Sequence, residues 1–352
     1  MKPEKPMKNF LILLFGSLLI FSCNSPKTES ENSTLDKDKE SKTNYQTTGS
    51  IERLLPELDG LIPNEAEIEI LASGFDWIEG PLWLADQNAL LFSDVPQNRI
   101  WKWTEKDSLE LFLEPSGYLG DEENKREPGS NGLMLDAEGN LILCQHGERQ
   151  IGKMISSINQ PKAEYEILVN TFVGKKFNSP NDLAINEGGA IYFTDPPYGL
   201  DPWNTKELDI QGVYQLDFMG NVSLQIDSLA RPNGIGLSPD DQHLYIAQSD
   251  PKQARYYQYD LDENGNVSAG RMILDVTQLV GMNNPGLPDG LAVHSSGHLF
   301  ASGPGGILII SPEGKHLGTI KTERATSNCT FDADENYLYM TADMDLLRIQ
   351  LK

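Results

Sequence analysis

The chain has 352 residues, with 28 Lys and Arg against 52 Asp and Glu, a formal charge of −24 at neutral pH. That acidity excludes a nucleic-acid partner, because phosphate recognition needs a basic face; solubility accounts for it, and it does not by itself indicate a metal. Once an N-terminal segment is set aside, about 300 residues remain, enough for one large closed domain, and no later run is apolar for long enough to cross a bilayer as a helix.

In chain order, Lys2, Lys5 and Lys8 precede an apolar run over residues 10–21. Such a run is too short to span a membrane and suits the core of a signal peptide. It ends at Ser22-Cys23, which resembles the bacterial lipoprotein signal. A signal peptide is therefore expected over 1–22, with a lipid on Cys23; an ordinary secretory peptide with a chance cysteine is the alternative. Residues 24–53 are polar and rich in Ser, Thr, Lys and Glu, and are predicted to be a disordered tether. The folded domain is expected over 54–352, exported to the periplasm or cell surface and held to a membrane through Cys23.

From residue 79 the chain repeats one pattern six times: a polar opening, a strand, a short Gly, Asn or Asp turn, and a second strand. The copies are EGPLWLADQNALLFSDVPQ, SNGLMLDAEGNLILCQHGE, PNDLAINEGGAIYFTDPP, RPNGIGLSPDDQHLYIAQSD, PDGLAVHSSGHLFASGPGG and SNCTFDADENYLYMTADMD. They open on Glu79, Asn131, Asn181, Asn233, Asp289 and Asn328, at spacings of 52, 50, 52, 56 and 39 residues. A recurring all-β unit of this size predicts an all-β, six-bladed β-propeller, each copy forming the inner hairpin of a blade. Outer strands are expected at 99–103 and 110–113, 150–154 and 165–168, 212–217 and 222–228, 256–261 and 272–276, and 307–311 and 316–320. The last copy supplies three strands, 329–332, 337–341 and 346–351, and then the chain stops. Residues 66–71 belong to no other blade, so this N-terminal strand is expected to complete the last one and close the ring. Two insertions, 115–129 and 198–211 with its Trp203, are expected to form a rim or lid at the channel mouth, with a disordered surface loop as the alternative, above all for the first. Cys144 and Cys329 fall in non-adjacent copies and are expected to be free buried thiols.

Because a hairpin begins and ends on one face, radial symmetry brings all six opening residues to one mouth of the channel. These are two carboxylates and four amides, an oxygen-only set that suits a hard divalent cation. Ca²⁺ comes first, with Mg²⁺, Mn²⁺ or Zn²⁺ as alternatives, although a tetrahedral N/S zinc site finds no support. Asn-Gly and Asp-Gly are also ordinary turn formers. Here, however, they open a strand rather than connect a hairpin, and the first copy places Glu79, a poor turn former, in the same position. The segments that follow the second strands should share this mouth. His146 is expected there as a contact to substrate hydroxyls or a proton shuttle, and Arg149, Asp195 and Tyr198 as further substrate-binding residues. Arg231 is assigned to packing or a salt bridge. No G-x-S-x-G elbow occurs, which disfavours a covalent acyl-enzyme.

EGPLW at Glu79, SPNDLAI at Ser179, RPNGIGLSPD at Arg231 and LPDGLAV at Leu287 together resemble the senescence marker protein, gluconolactonase and luciferin-regenerating enzyme family, from about residue 65 to the C-terminus. CQHGERQI at Cys144 and YFTDPPYG at Tyr192 are similar to its bacterial gluconolactonase branch. The resemblance implies a calcium-dependent propeller that hydrolyses a sugar lactone. It implies that Glu79, Asn233 and Asp289 ligate the metal, that Asn181 is a fourth ligand or binds substrate, and that Asp289 is the general base. Asn131 and Asn328 match no ligand and are assigned to capping the start of their strands. Alternatives are a related metal-dependent esterase or organophosphate hydrolase, and a non-catalytic calcium-binding propeller.

Overall fold

The computed structural model describes residues 45–352, apart from 121–125, 203–204 and 282. The expected signal peptide, the lipidated Cys23, most of the tether and Trp203 lie outside the described residues.

Six antiparallel sheets follow one another along the chain as six blades. Blade one is built from Ile78–Leu84, Ala89–Asp94, Arg99–Thr104 and Ser108–Leu113, and blade two from Leu133–Leu135, Leu141–Gln145, Gln150–Met154 and Tyr165–Val169. Blade three holds Leu183–Ile185, Ile191–Thr194, Val213–Leu216 and Val222–Ile226; blade four holds Pro232–Leu237, His243–Asp250, Gln253–Leu261 and Val267–Asp275. Blade five comprises Leu291–Val293, Leu299–Gly303, Gly306–Ile310 and His316–Lys321, and blade six Thr326–Phe331, Tyr337–Ala342 and Asp345–Gln350. The N-terminal strand Ile68–Ser73 completes blade six, with Arg348 opposite Glu69 and Leu347 opposite Ile70. The ring is thus closed by pairing the two ends of the domain, as expected.

Each strand alternates its side chains between two faces, so each blade buries one face against the blade before it and one against the blade after. The core accordingly divides into six apolar clusters, one at each junction between neighbouring blades. Leu91, Leu133 and Leu143 fill the first junction, Cys144, Phe177, Phe193 and Tyr214 the second, and Cys329, Phe300, Ile309 and Met340 the fifth. Cys144 and Cys329 sit in different clusters and are both free and buried.

One boundary differs from expectation. Residues 45–53, assigned to the disordered tether, are ordered in the fold. Gln46–Thr48 adds a fifth strand to blade six beside Ile68–Ser73, and Ser50–Arg53 adds a fifth strand to blade five beside His316–Lys321. Gly49 makes the crossing between the two edges at φ +63°, where a Cβ would meet the Lys321 carbonyl oxygen. A strand on a sheet edge is held by its backbone and needs little apolar surface, so a composition averaged over thirty polar residues conceals it. Arg53 fastens the strap by bonding Asp59 and the carbonyls of Ile62 and Pro63. Deleting 45–53 from a 45–352 chain uncovers the outer edges of blades five and six and breaks the Arg53 bonds, and is expected to lower Tm. An unchanged melt would show that the strap adds nothing to the edges it covers.

Candidate functional site

The opening residues of the six copies meet where their blades converge. A circular set of hydrogen bonds fixes them there. Ser93 Oγ of blade one donates to the Asn131 carbonyl of blade two at 2.9 Å, and the Gly132 amide of blade two to the Asn181 carbonyl of blade three at 2.8 Å. The Gly234 amide of blade four donates to the Asp289 carbonyl of blade five at 2.9 Å, and the Gly290 amide of blade five to the Ser327 carbonyl of blade six at 2.6 Å. Ser327 Oγ then donates to the Ile78 carbonyl of blade one at 2.6 Å, which completes the circuit. This explains the glycine that follows most opening residues. A Cβ on Gly234 would stand 2.0 Å from the Asp289 carbonyl oxygen. The dipeptide is there for close approach of neighbouring blades, not for a turn. Gly234→Ala is expected to cost about 1–3 kcal/mol through overpacking and to displace Asp289, read as a lowered Tm together with lost activity.

Blade three breaks the pattern. Asp182 stands where blades one, two, four and five carry Gly. Its carboxyl hydrogen-bonds the Ile235 backbone and so supplies the link from blade three to blade four. It also accepts from Asn328 Nδ2 at 3.3 Å, joining blade three to blade six across the channel. Asn328 Oδ1 caps the Cys329 amide at 2.8 Å, the capping role expected of it. The Asp182–Asn328 pair is buried. Burial pushes the Asp182 carboxyl up to about 6. The third copy reads SPNDL where others read NG or DG, a visible departure that the repeat-based reading passes over.

The mouth is a cavity of about 690 Å³, lined among others by Glu79, Asn131, Asn181, Tyr198, Asn233 and Asp289. Four blades therefore deliver the four expected metal ligands to one space. Glu79 is 3 % exposed and accepts from the Trp77 indole at 3.3 Å. Burial, followed by the charges of Asp289 and Asp182, raises its carboxyl well above the usual range. Asp289 is raised well above its ordinary value too, by burial and then by Asp182, against a hydrogen bond from Asn233. Its Oδ1 is buried without a partner, and so is Oδ1 of Asn131. Asn131 is expected to cap its strand, but its Oδ1 bonds no amide and the residue lines the cavity. Two buried carboxyls that feel each other's charge, with unpartnered oxygens beside them, are the electrostatic complement of a cation. Among the described residues no group of three or more His, Cys, Asp or Glu side chains assembles. A cation here would be held by two carboxylates and amide oxygens.

Of the second-strand candidates, only Tyr198 lines the cavity. Its hydroxyl lies toward Ser249 and Asn233, and burial raises it. His146 is 0 % exposed and lies behind the wall, its Nδ1 at 3.1 Å from the Pro180 carbonyl and its Nε2 at 3.1 Å from Glu127. Asp195 is also fully buried and accepts the amides of Asn178 and Ser179, each at 2.8 Å. It braces the loop that presents Asn181, and burial pushes its carboxyl up to about 7. Arg149 bonds the Phe177 carbonyl at 2.6 Å and Glu207 at 3.2 Å, away from the cavity. The physical reason is strand spacing. A second strand stands about 4.8 Å further from the axis than the first; in blades two and three its last residues support the opening loops, whereas Val95, Ser249 and Pro251 at the ends of the second strands of blades one and four line the cavity. Arg231, assigned to packing or a salt bridge, lines the cavity, as do Arg126 and Glu127 of the 115–129 insertion.

The chain is similar to known proteins over most of its length. The SMP-30/Gluconolactonase/LRE-like region matches residues 77–343. The chain is similar to a gluconolactonase of Zymomonas mobilis, 38% identical over 317 residues that cover 88% of each protein. Among solved structures it is similar to a gluconolactonase from Xanthomonas campestris, with a TM-score of 0.74 and 29% identity over 88% of this chain and 96% of that one. The calcium-binding protein regucalcin of Agrobacterium tumefaciens shares the fold, with a TM-score of 0.61 and 14% identity over 80% and 94% of the two chains.

Proposed function

This chain belongs to the SMP-30/Gluconolactonase/LRE-like family, and on that footing we propose that it hydrolyses a sugar lactone, such as an aldonolactone, to the open hydroxy acid. The observation that carries the reading is the convergence of Glu79, Asn181, Asn233 and Asp289 on one cavity, with an unpartnered Asp289 oxygen among them. The donor set is oxygen only and its carboxylates are buried, so it fits one hard divalent cation, Ca²⁺ first. Glu79 and Asp289 would hold it through charge, with the amide oxygens of Asn233, Asn181 and Asn131 beside them. When bound, such an ion polarises the lactone carbonyl and stabilises the negative charge that develops there.

The chain's own groups supply the rest. Asp289 keeps one oxygen free of partners, so it can take a proton from the attacking water or orient that water. Asn233 steadies the same carboxyl, and the Trp77 indole holds Glu79 in place. Tyr198 and Arg231 add polar groups to the wall that faces the lactone's hydroxyls. Hydrolysis of a panel of aldonolactones by the purified chain tests the proposal. Turnover well above the spontaneous rate, lost with chelator and regained with Ca²⁺, is expected. Metal binding without turnover of any lactone would instead mark a non-catalytic calcium propeller.

The proposal extends to location. The residues at 2–23 support export and lipid attachment at Cys23. Cys23→Ser is expected to move the protein from the membrane to the soluble fraction; unchanged membrane association would contradict the anchor.

A further inference from the structure

Lactone hydrolysis needs two proton movements, and Asp289 accounts for one. Water loses a proton as it attacks, and the ring oxygen must gain one as its bond to the acyl carbon breaks. A sugar alkoxide is a poor leaving group, so this second transfer is worth assisting.

A second carboxylate stands in the cavity wall. Glu127 lines the mouth, and its Oε2 lies 3.1 Å from Nε2 of His146. The His146 ring is clamped from two sides. Its Nδ1 faces the Pro180 carbonyl at 3.1 Å, and a Cβ added to Gly199 would fall 2.5 Å from its Cδ2. A carbonyl oxygen only accepts, so Nδ1 carries the hydrogen. A neutral imidazole would then turn a bare lone pair on Nε2 toward the lone pairs of a carboxylate at hydrogen-bond distance. That contact is favourable only with a proton between the two groups, as imidazolium with carboxylate or as imidazole with carboxylic acid. The other oxygen, Oε1, pairs with Arg126 Nε at 3.5 Å. The fold therefore joins a carboxyl that faces the cavity to a buried histidine that does not, at hydrogen-bond distance. The charge of Glu127 is also felt at Asp289, so the two carboxyls address the same space.

We propose that Glu127 is the second acid–base group of this site, giving its proton to the departing ring oxygen, with His146 as its positioning residue. This rests on the lactonase reading above. In the balanced step, water forms a bond from its oxygen to the acyl carbon and yields a proton to Asp289. The bond from the acyl carbon to the ring oxygen breaks, and the proton shared by Glu127 and His146 goes to that oxygen. One water is consumed, the product is a hydroxy acid, and both carboxyls return to their starting states by exchange with solvent.

The experiment compares gluconolactone, whose ring oxygen leaves as an alkoxide, with dihydrocoumarin, whose ring oxygen leaves as a phenolate from a phenol of pKa about 10 and needs less protonic help. In Glu127→Gln, kcat for gluconolactone is expected to fall about 100-fold and kcat for dihydrocoumarin by less than about 5-fold. His146→Gln, which cannot share the proton, is expected to show the same bias to a lesser degree. Equal losses on both lactones, or no loss on either, overturn the proposal and leave the lactonase reading standing. If dihydrocoumarin does not turn over, a proton inventory on gluconolactone decides. Two protons in flight for the wild type and one for Glu127→Gln support the assignment, and an unchanged inventory overturns it. Failure of the wild-type chain to hydrolyse either lactone removes the lactonase reading and this proposal with it.

Discussion

Replacing Asp289 by Asn is expected to lower kcat on an aldonolactone by about 10²–10⁴-fold at saturating cation, the range for loss of a general base. Asn keeps the shape of the side chain and one oxygen, so the loss reports charge and basicity rather than packing. The same change is expected to stabilise the cation-free protein at pH 8. The carboxyl of Asp289 is raised in the folded state, by burial and then by the charge of Asp182. A raised carboxyl gives its full stability below the unfolded pKa, near 4, and loses it as pH rises through the folded value. At pH 8 the folded wild type therefore carries the cost of the buried charge, and the Asp289→Asn variant does not. At pH 3 the two proteins should melt alike. A rate that survives Asp289→Asn would leave the site without its base. A variant that melts well below the wild type at pH 8 would show that the carboxylate holds the fold rather than strains it.

The second large effect lies at the ring closure. Arg348 is 8 % exposed on the last strand. Its guanidinium reaches Glu69 of the closing N-terminal strand at 2.6 and 2.8 Å and Glu105 of blade one at 2.7 Å. It also lies 4.6 Å from the centroid of the Tyr337 ring, 5.4 Å from Tyr45 and 5.6 Å from Trp103. Burial pulls its pKa down, but the bonds to Glu69 and Glu105 more than offset this and leave it above the ordinary value. One side chain thus joins the C-terminal strand, the N-terminal strand, the strap and blade one. Arg348→Ala is expected to cost about 1–3 kcal/mol, because it removes the bonds of a buried guanidinium to half-buried Glu69 and exposed Glu105 together with three aromatic contacts. That is roughly 2–12 °C in Tm, measured by calorimetry. Arg348→Lys should recover only part, since an ammonium cannot match the two-pronged contact with Glu69. A loss within about 0.5 kcal/mol would mean that backbone pairing alone closes the ring.

The repeat made most of this legible. Six hairpins at regular spacing, with an N-terminal strand left over, lead to the blade count, the closure and the placement of Glu79, Asn181, Asn233 and Asp289 at one mouth. These are properties of symmetry, and symmetry is written in the sequence. What repetition could not tell is depth. His146, Asp195 and Arg149 occupy equivalent corners, but one strand further from the axis, and they brace the site instead of facing it. Asp182 and Glu127 escape a repeat-based reading for opposite reasons. Asp182 is where the repeat fails, a carboxylate in a glycine's place, and Glu127 comes from an insertion outside the repeat. The strap at 45–53 escapes it because an edge strand is held by its backbone, and composition reports side chains.

The central claim is that acidic and amide groups from separate blades form one cation-dependent hydrolytic centre. The most direct measurement is a titration of metal-stripped protein with Ca²⁺, following ion binding and aldonolactone turnover in the same sample, for the wild type and for Glu79→Gln. The account predicts one tightly bound ion per wild-type chain, turnover rising in step with its occupancy, and both lost together in Glu79→Gln. Full turnover in the stripped wild-type protein, or undiminished ion binding in Glu79→Gln, would contradict it.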